Sequence, residues 1–524
     1  MKLYKYIAAI GVLGILGSNS YTKAQDQPSS AIEPSALELF RATSLWFNTA
    51  NAAGLNTLSQ LGYTEVEGGY RYSNGEFRQQ QDGKRTDGFV FNAEGATYLN
   101  NAYIWGKFSL ETENRRGSRF NTSIIDPFRG MPYIKADSIR ADWRIQNYNL
   151  ELKAATPKLF DQLYAGLGIK YNVATGAKQL DPRPANRFYS LQLTPSVVWA
   201  ANDNNNIGAT FYYRNLRETS SLDSKYNEYK EIYWLEGLGA FTSSSVVTGE
   251  RDYRGNTTGV EVQYMLANDN IDFILSGGYN YGYENVIDGS RALINASKTL
   301  TDYYSANAEI IIKGRKNLHK IAGSFLYNDI SGIFYDKKKD PDSPSDQIVL
   351  DKRERSKFQT LQWQIAYDIF EKKGAGFLWN LGTGIRYSSQ EDLYRLPQPG
   401  VESSFQNIHR YDFNMHAKYN FDRSIPFEGN LLMGLDVTYS VADDCSLFYG
   451  GQDNNHTVVR NLVEKDYAFL SSDYIKFAFN AQYSIPLLVG NKKVSAYGKT
   501  SAFYIPKANS TTKNSFYVAV GFML

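Results

Sequence analysis

The sequence predicts an all-β protein: a transmembrane, antiparallel up-and-down β-barrel of about 18 strands (range 14–18), preceded by a short helix. Three observations predict this fold. Segments of roughly ten residues alternate between apolar and polar side chains, as barrel strands do. The connections between these segments are alternately short and long. Beyond the first 24 residues there is no run of about 18 or more apolar residues, which excludes membrane-spanning helices.

The composition agrees with a barrel. The 524 residues have a mean hydropathy of −0.44, yet 15% of them are aromatic, with 40 Tyr and 42 Gly. Because lipid-facing and lumen-facing residues alternate in a membrane barrel, their hydropathies average to a low value. The formal net charge of +2 gives no reason to expect nucleic acid as a partner.

Residues 1–24 have the pattern of a cleaved export signal. Lys5 belongs to a basic start, the segment from Ile7 to Gly17 is apolar, and small residues precede Gln25. The apolar run is too short to cross a bilayer as a helix. We therefore expect a signal peptide, with an uncleaved signal anchor as the alternative. Cys445 is the only cysteine, which argues against a lipidated N-terminus and an internal disulfide.

Residues 25–61 precede the barrel and contain one helix candidate. Ser35 followed by Glu38 matches a capping box, and Gly54 can end a helix that runs from Ala36 to Ala53. The residues expected to bury this helix are Leu39, Phe40, Trp46 and Phe47. Such a helix either plugs the lumen or lies in the periplasm against the base of the barrel. Its aromatic content favours burial.

Residues 62–524 form the predicted barrel. In one representative strand Leu431 and Leu435 face one side, while Gly434 and Asp436 face the other. A soluble two-sheet sandwich also alternates, and the connections distinguish the two folds. The predicted strands are 62–73, 86–97, 102–114, 140–155, 162–175, 189–201, 206–219, 257–268, 270–287, 302–315, 317–330, 356–371, 375–391, 406–423, 427–443, 469–486, 493–506 and 512–524.

The long connections are expected outside the cell and the short ones in the periplasm. Examples of long connections are 115–139, 220–256 and 331–355, and examples of short ones are 202–205 and 372–374. Only one set of connections has to cross the membrane during insertion, which explains this asymmetry. A sandwich has no reason to show it.

The last predicted strand alternates through Phe516, Val518, Val520, Phe522 and Leu524. Such an ending is similar to the signal that assembly machinery recognises in outer-membrane barrels, although a terminal aromatic residue is more usual than leucine. We therefore expect outer-membrane lipids as one partner and the outer-membrane assembly machinery, through the C-terminal strand, as another.

Charged residues on the polar sides of the strands are the candidate lumen-lining residues: Lys107, Glu111, Lys170, Asp272, Arg386, Asp436 and Lys476. In a water-filled pore such residues set selectivity, whereas in a filled barrel they pair across the lumen. The mixture of signs favours pairing. A ring of one sign, which would indicate an ion-selective filter, does not occur.

Catalysis is not expected. A barrel lipase needs a serine and a histidine as near neighbours on one strand, and none of the four histidines has a serine two residues away. No histidines share a face with a cysteine, as a metal site of that type requires. The sequence therefore predicts no catalytic residues, no cofactor and no metal site.

Three segments suggest a family: Ala93 to Ser109, the charged Glu113 to Gly117, and Asp181 to Pro184. Together they resemble a family of outer-membrane β-barrels of unknown function from Bacteroidota, over nearly the whole mature chain. The resemblance implies localisation in the outer membrane. It also implies an association with TonB-dependent receptors, and hence a role beside nutrient or metal uptake.

The leading hypothesis is a non-enzymatic barrel that acts as a channel or as an accessory subunit of an uptake or other surface complex. In the second case a TonB-dependent receptor or a surface lipoprotein is the expected partner. The alternative is a sealed interaction barrel whose outer loops present a docking surface. A lipid-facing enzyme is the third hypothesis. TonB-driven transport by this chain itself is not expected, because such receptors use about 22 strands around a larger plug.

Overall fold

In the part of the chain that the structure describes, eighteen antiparallel strands close into one barrel, and three short strands form a second sheet. In this computed structural model the described residues are 32–58, 61–223, 231–244, 249–289, 294–339, 341, 347–397, 400–425, 429–451, 453–490 and 492–524. The predicted signal peptide lies outside the described residues. Pairing of the last strand with the first, from Glu65 opposite Met523 to Gly75 opposite Lys513, closes the ring.

The barrel has up-and-down topology, because each of its strands pairs with the next barrel strand along the chain. The barrel strands are β1 (Tyr63–Gly75), β2 (Arg85–Leu99), β3 (Ala102–Ser118), β5 (Ala141–Ala155), β6 (Leu163–Lys178), β7 (Arg183–Ala200), β8 (Asn205–Asp223), β11 (Gly249–Ala267), β12 (Ile271–Asp288), β13 (Ile294–Lys313), β14 (Asn317–Lys339), β15 (Gln347–Lys373), β16 (Gly376–Tyr394), β17 (Ser404–Ile425), β18 (Gly429–Phe448), β19 (Tyr474–Val489), β20 (Lys492–Ala508) and β21 (Thr511–Met523). The predicted fold, including its strand count and short N-terminal helix, is confirmed.

The connections differ between the two ends of the barrel, which we call the short-turn end and the long-loop end. At the short-turn end, Asn100 and Asn101 both have positive φ (49° and 64°), the backbone of a two-residue hairpin turn. At the long-loop end, several strands extend beyond their predicted bounds, and β14 and β15 shorten the predicted loop 331–355. Main-chain pairing continues there although the sequence, rich in Lys and Asp, no longer alternates.

The second sheet consists of β4 (Lys135–Asp137), β9 (Ile232–Gly237) and β10 (Ala240–Ser244), in the order β10-β9-β4. It is built from two of the predicted outer loops, 115–139 and 220–256. Its strands were not predicted.

An apolar band covers the outward face of the barrel wall. Large apolar side chains there are exposed, for example Val262 (62%), Met415 (67%), Leu435 (61%) and Val520 (68%). The inward face of the same strands is mainly polar, as at Asp436 beside Leu435. The strands therefore place apolar residues outside and polar residues inside, the reverse of a soluble barrel.

Aromatic rings border this band. Tyr279, Tyr304 and Tyr327 on β12–β14 form one row, with ring centroids 5.0 Å and 6.2 Å apart. On β15–β17 the row continues through Trp363, Tyr387 and Tyr411, with centroids 5.9 Å and 5.0 Å apart.

On β17 the outward-facing ring of Phe421 lies toward the short-turn end from Tyr411. Ten residues of tilted strand separate the two rings, which corresponds to about 25 Å along the barrel axis. This is the height of the apolar band of a membrane barrel.

The N-terminal helix is shorter than predicted and begins differently. α1 spans Pro34–Thr43, followed by 3-10 turns at Leu45–Asn48 and Ala53–Asn56. The predicted helix from Ala36 to Ala53 is therefore wrong in extent. A second helix, α2, spans Glu464–Leu470 and follows a π turn at Val459–Val463. Among the described residues, neither helix is long and apolar enough to span a membrane.

The predicted capping box of α1 is also wrong. Glu33 is the N-cap residue and makes no side-chain cap hydrogen bond, while Pro34 takes the first helical position. The Ser35 hydroxyl accepts a hydrogen bond from Asn420, and the Glu38 carboxylate pairs with Lys418. Both side chains bind the barrel wall instead of the helix backbone.

Candidate functional site

Residues 32–58, which we call the plug segment, lie inside the lumen at the short-turn end. Arg41 binds Glu94 on β2, Asn51 donates to Gln263 on β11, and Glu38 pairs with Lys418 on β17. These three strands are spaced about equally around the ring of strands. A segment that touches three sides of the wall occupies the lumen rather than lying against its base.

Ion pairs connect the plug segment to the wall. Arg41 Nη2 lies 2.9 Å from Glu65 Oε2 and 2.9 Å from Glu94 Oε1. Glu38 Oε2 lies 2.7 Å from Lys418 Nζ. Glu94 is almost buried, and Tyr63 and Trp105 also donate hydrogen bonds to its carboxylate. Arg41 therefore compensates two wall carboxylates that face the lumen.

Two wall lysines bind main-chain carbonyl groups of the plug segment. Lys153 Nζ lies 3.0 Å from the Phe47 oxygen and 2.8 Å from the Thr49 oxygen, and Lys320 Nζ lies 2.8 Å from the Ala42 oxygen. The Ala42 and Phe47 carbonyl groups lie at the ends of α1 and of the first 3-10 turn, where no helical partner is available. The wall thus supplies the bonds that end these helical turns.

Apolar packing contributes the rest of the contact. Trp46, 1% exposed, packs on Gly54 and reaches Gly208 of β8. Around it the plug segment and the short-turn end of the wall share one core. Its buried members include Leu37, Leu45, Trp46, Ala53, Leu55, Tyr103, Trp105, Val198, Met265, Ile311, Phe370, Phe377 and Leu432.

Two wall glycines allow the plug segment to approach the barrel closely. A Cβ at Gly166 would lie 2.2 Å from the Ala53 nitrogen, and a Cβ at Gly376 would lie 2.3 Å from Ser35 Oγ. Both distances are far below van der Waals contact. The absence of a side chain at Gly166 and Gly376 makes room for the plug segment, since the nearest atoms belong to that segment and not to a neighbouring strand.

Gly166→Ala should weaken docking of the plug segment while leaving the barrel intact. The added methyl group meets the backbone of Ala53, which has to move, and overpacking of this kind costs about 1–3 kcal/mol. Amide hydrogen exchange in the plug segment should accelerate accordingly. Gly498→Ala is the matched control, because a Cβ there meets nothing within 4 Å. Equal exchange in the two variants would contradict this reading of Gly166.

At the long-loop end, three segments fold into the lumen: 119–137, 231–244 and 453–473. We call them the outer cap. Their apolar side chains and those of the wall form a second buried cluster. It contains Phe120, Ile125, Met131, Tyr133, Ile134, Ala136, Leu216, Tyr233, Leu235, Tyr253, Val286, Ala296, Val458 and Leu462.

Buried polar contacts attach the outer cap to the wall. The Glu218 carboxylate of β8 accepts hydrogen bonds from the Ser123 hydroxyl and from the Ile124 nitrogen, the latter at 2.7 Å. Arg129 Nη2 lies 2.7 Å from Glu284 Oε1. Lys178 Nζ lies 3.0 Å from Asp137 Oδ2, with both side chains at most 1% exposed. The cap is therefore part of the fold and not a loose loop.

Helix α2 of the outer cap docks on the loop between β1 and β2. Phe469 packs on Phe77 with ring centroids 4.7 Å apart, and Asp466 Oδ1 accepts a hydrogen bond of 2.7 Å from the Gln80 nitrogen. Burial raises the pKa of Asp466 to about 7, and the nearby Asp82 carboxylate also raises it.

Docking of α2 should weaken as the pH rises. A carboxyl group whose folded-state pKa is raised from 3.8 to about 7 contributes stability that is present below the lower value and is lost as pH rises through the upper one. Hydrogen exchange in residues 464–470 should therefore be faster at about pH 8 than at about pH 5, after correction for intrinsic rates. Asp466→Asn should remove the difference, whereas Glu464→Gln, on the exposed side of the helix, should keep it.

Between the plug segment and the outer cap lies a polar chamber. Two adjoining cavities, of about 400 Å³ and about 340 Å³, follow the wall formed by β3 and β5–β8. Glu151, Lys170 and Gln192 line both of them. On the other side of the lumen the inward-facing Asn307 and Gln364 are exposed. The middle of the lumen is therefore space for solvent, bounded at both ends by protein.

The predicted lumen-lining residues lie on inward-facing positions, and six of them have polar partners. The pairs are Lys107 with Glu94, Glu111 with Arg71, Lys170 with Glu151, Asp272 with Lys313, Arg386 with Asp412, and Asp436 with Asn480. Lys476 on β19 lies opposite Thr438 on β18. Glu111 and Lys170 line the chamber. A role of these residues in selectivity stays a prediction.

The residues that hold the plug segment were not predicted as a set. Arg41, Lys153, Lys320 and the two glycines have no sequence pattern of their own, because each acts through a partner far away in the chain. The outer cap had a signal. Apolar residues from Phe120 to Ile134 are unusual in a loop expected in water.

Comparisons with known proteins give a family. Residues 52–524 match the model of DUF6850, a family of unknown function. No curated protein matches the chain.

Solved structures similar to this one include a FadL homologue of Pseudomonas aeruginosa, with TM-score 0.32, 10% identity and coverage of 90% and 92% of the two chains. The copper transporter OprC has TM-score 0.41, 9% identity and coverage of 89% and 81%. The iron transporter FrpB of Neisseria meningitidis has TM-score 0.40, 9% identity and coverage of 90% and 82%. Similarity at these TM-scores carries no argument about this chain.

Proposed function

We propose that this chain, which belongs to the DUF6850 family of unknown function, is an outer-membrane barrel that passes small polar solutes when the plug segment leaves the lumen. The observation that carries the proposal is the plug segment itself, held by ion pairs and carbonyl contacts below a polar chamber. No catalytic reaction is assigned to it. Outer-membrane lipids and the assembly machinery, acting through β21, are its proposed partners.

The outward apolar band supports insertion in a membrane. Exposed residues such as Val520 and Leu435 would face water in a soluble barrel, where so large an apolar surface causes aggregation. In a bilayer the same surface is buried in hydrocarbon, and the aromatic row from Tyr279 to Tyr411 lies where headgroups would be.

Val520→Arg tests membrane insertion. At the middle of a bilayer an outward-facing arginine should lower the free energy of unfolding in vesicles by about 2–4 kcal/mol. Ser324→Arg, on an exposed inward position, should have little effect because its side chain stays in water. Denaturant titration in lipid vesicles gives both values. Equal effects of the two variants would count against a lipid-facing Val520.

The way the plug segment is held supports a reversible closure. Arg41 is 34% exposed and Glu38 is 37% exposed at their ion pairs, so water can replace these contacts. Lys153 and Lys320 bind carbonyl groups that water also satisfies. Release also exposes apolar wall residues that pack on the plug segment, such as Met265 and Phe377, and this cost keeps the closed state favoured.

Solute flux from vesicles tests the proposed passage. Vesicles loaded with a small neutral dye should retain it with the intact protein and lose it with a variant lacking residues 25–60. Circular dichroism and heat-modifiable gel mobility establish that the variant still forms a barrel. Retention of the dye by a correctly folded deletion variant would refute the proposal.

A sealed interaction barrel is the second candidate. The observation that favours it is the presence of closures at both ends, the plug segment and the outer cap. In that case the barrel presents its outer surface to a partner such as a TonB-dependent receptor or a surface lipoprotein. The variant lacking residues 25–60 then stays impermeable as well, because the outer cap still closes the lumen.

A further inference from the structure

The chamber contains one continuous strip of hydrogen-bonding side chains, which we call the polar track. It runs along β5–β7 from the outer cap to the plug segment. Its members are Asn147, Asn149, Glu151, Lys170, Asn172 and Gln192. Asn172 donates to the side chains of both Asn147 and Asn149, at 2.9 Å from the former. These contacts hold the amide groups in one row along the wall.

The charges along the polar track largely cancel. Lys170 Nζ lies 3.3 Å from Glu151 Oε2, and in the same cavity Arg115 Nε lies 2.6 Å from Glu113 Oε1. Glu111, also at the wall of the cavity, pairs with Arg71 at 2.6 Å. Paired charges give no strong preference for an anion or a cation, in contrast to a ring of one sign.

Amide side chains suit hydroxyl groups. An asparagine or glutamine offers two donors and an acceptor, and a hydroxyl group both donates and accepts. Ser190 and Thr194 add hydroxyl groups on β7 within the same cavities. A predominantly apolar ligand would displace water from the donors and acceptors that these groups do not use on one another, which costs about 1–3 kcal/mol for each group left unsatisfied.

An aromatic surface lies at the end of the polar track next to the plug segment. Phe47 of the plug segment and Trp105 of β3 pack edge to face, with centroids 5.4 Å apart, and both border the smaller cavity. Rings at the end of a row of amides provide an apolar face for C–H groups of a ligand whose hydroxyl groups bind the amides.

We propose that the polar track binds a neutral carbohydrate of a few sugar units. Each cavity is within the size range of ligand pockets, roughly 300–1,000 Å³. The hydroxyl groups bind the amides of the track, and the C–H faces pack on Trp105 and Phe47. This proposal rests on the proposed function, because it names the class of solute that the chamber binds. Because Phe47 belongs to the plug segment, the sugar touches the segment that has to leave.

Calorimetric titration with maltotriose tests the proposal. The protein is purified in a polyoxyethylene detergent, because maltoside detergents would compete for the site. Citrate and spermidine serve as anionic and cationic solutes. We expect heat of binding for maltotriose and none for the two charged solutes. Asn172→Leu and Gln192→Met should each weaken binding at least about tenfold, equivalent to about 1.4 kcal/mol.

Asn414→Leu is the matched control. Asn414 faces the lumen on β17, on the opposite side of the ring from β6, and donates to Thr438 Oγ1 at 3.2 Å. It should change maltotriose binding by less than about twofold, because the amide lies outside the track. A loss equal to that of Asn172→Leu would overturn the proposed location.

Further outcomes separate this proposal from the proposed function. Titrations use the intact protein and the Arg41→Gln variant, in which the chamber is more accessible. Absence of heat in both up to about 10 mM maltotriose, or binding of citrate or spermidine instead, overturns the carbohydrate site. If no carbohydrate binds but the variant lacking residues 25–60 still passes the dye, the proposed passage stands and only the carbohydrate site is refuted. Binding of maltotriose without any flux of dye would support the carbohydrate site and refute the proposed passage of solutes.

Discussion

Replacing Arg41 by glutamine should turn a closed barrel into one that conducts ions. The guanidinium group of Arg41 lies 2.9 Å from both Glu65 and Glu94. Without it, two carboxylates of the wall face the plug segment with no cation from that segment. Glu94 keeps Lys107 and Glu65 keeps the Tyr497 hydroxyl as partners, so the variant loses only the charge-assisted hydrogen bonds between plug segment and wall. That loss costs about 1–3 kcal/mol, which shifts the docking equilibrium by about 5- to 150-fold.

Conductance across a planar bilayer measures this effect. The open fraction should rise in the Arg41→Gln protein. In the wild type, added salt should also raise the open fraction, because salt weakens the partly exposed ion pairs of Arg41 and Glu38. Arg71→Gln is the matched control: Arg71 pairs with Glu111 at 2.6 Å and does not contact the plug segment. If Arg71→Gln opened the barrel as much as Arg41→Gln, the ion pairs of Arg41 would not be what holds the plug segment.

Trp46→Ala should undock the plug segment without unfolding the barrel. Trp46 is 1% exposed and fills the space between Gly54 and Gly208. Truncation of a buried tryptophan costs about 3–5 kcal/mol. This cost falls on docking, because Trp46 joins the plug segment's own Gly54 to Gly208 of the wall. The barrel strands themselves are held by main-chain pairing, which the substitution leaves in place.

Hydrogen exchange resolves the two parts of the molecule. Exchange in residues 34–56 should become much faster in Trp46→Ala, while the barrel strands stay protected. Trp143→Ala removes an equally buried indole, 1% exposed, that packs near Lys178 at the outer cap. It should leave the plug segment protected. Fast exchange in every strand of Trp46→Ala would instead mean that the plug segment is required for the barrel to fold.

The barrel was predictable because its rules are local. Alternation in segments such as Leu431 to Asp436 gives the strand and its two faces, and turn residues such as Asn100 and Asn101 give the hairpins. The strand ends at the long-loop side were not predictable. There Lys337 and Asp351 remain in pairing that depends on the neighbouring strand and not on their own polarity.

The plug segment was predictable only as a helix candidate with buried aromatic residues. Its path depends on contacts between distant positions. Ser35 and Glu38 suggested a cap by their spacing, yet Asn420 and Lys418 compete for the same side chains. Lys153 captures the carbonyl groups of Phe47 and Thr49, so the chain turns where the sequence suggested a continuous helix.

The chamber could be predicted only in part. Alternation places Lys170, Glu111 and Asn172 on the polar side of their strands, but no sequence pattern distinguishes Asn147, Asn172 and Gln192 from other polar positions. Their significance comes from the shape of the cavity, which depends on where the plug segment and the outer cap end.

A disulfide between the plug segment and the wall gives the most direct test that departure of this segment opens the barrel. Ser35 Oγ lies 3.0 Å from Asn420 Nδ2, so the two residues are in direct contact across the boundary between plug segment and wall. Cysteines are placed at both positions, thiol titration of the oxidised protein establishes that they have bonded, and Cys445→Ser removes the native thiol. Single-channel conductance is measured for Ser35→Cys/Asn420→Cys/Cys445→Ser combined with Arg41→Gln. The account predicts silence in the oxidised protein and conductance after reduction. Equal conductance in both states would contradict it, because ions would then pass with the plug segment fixed in place.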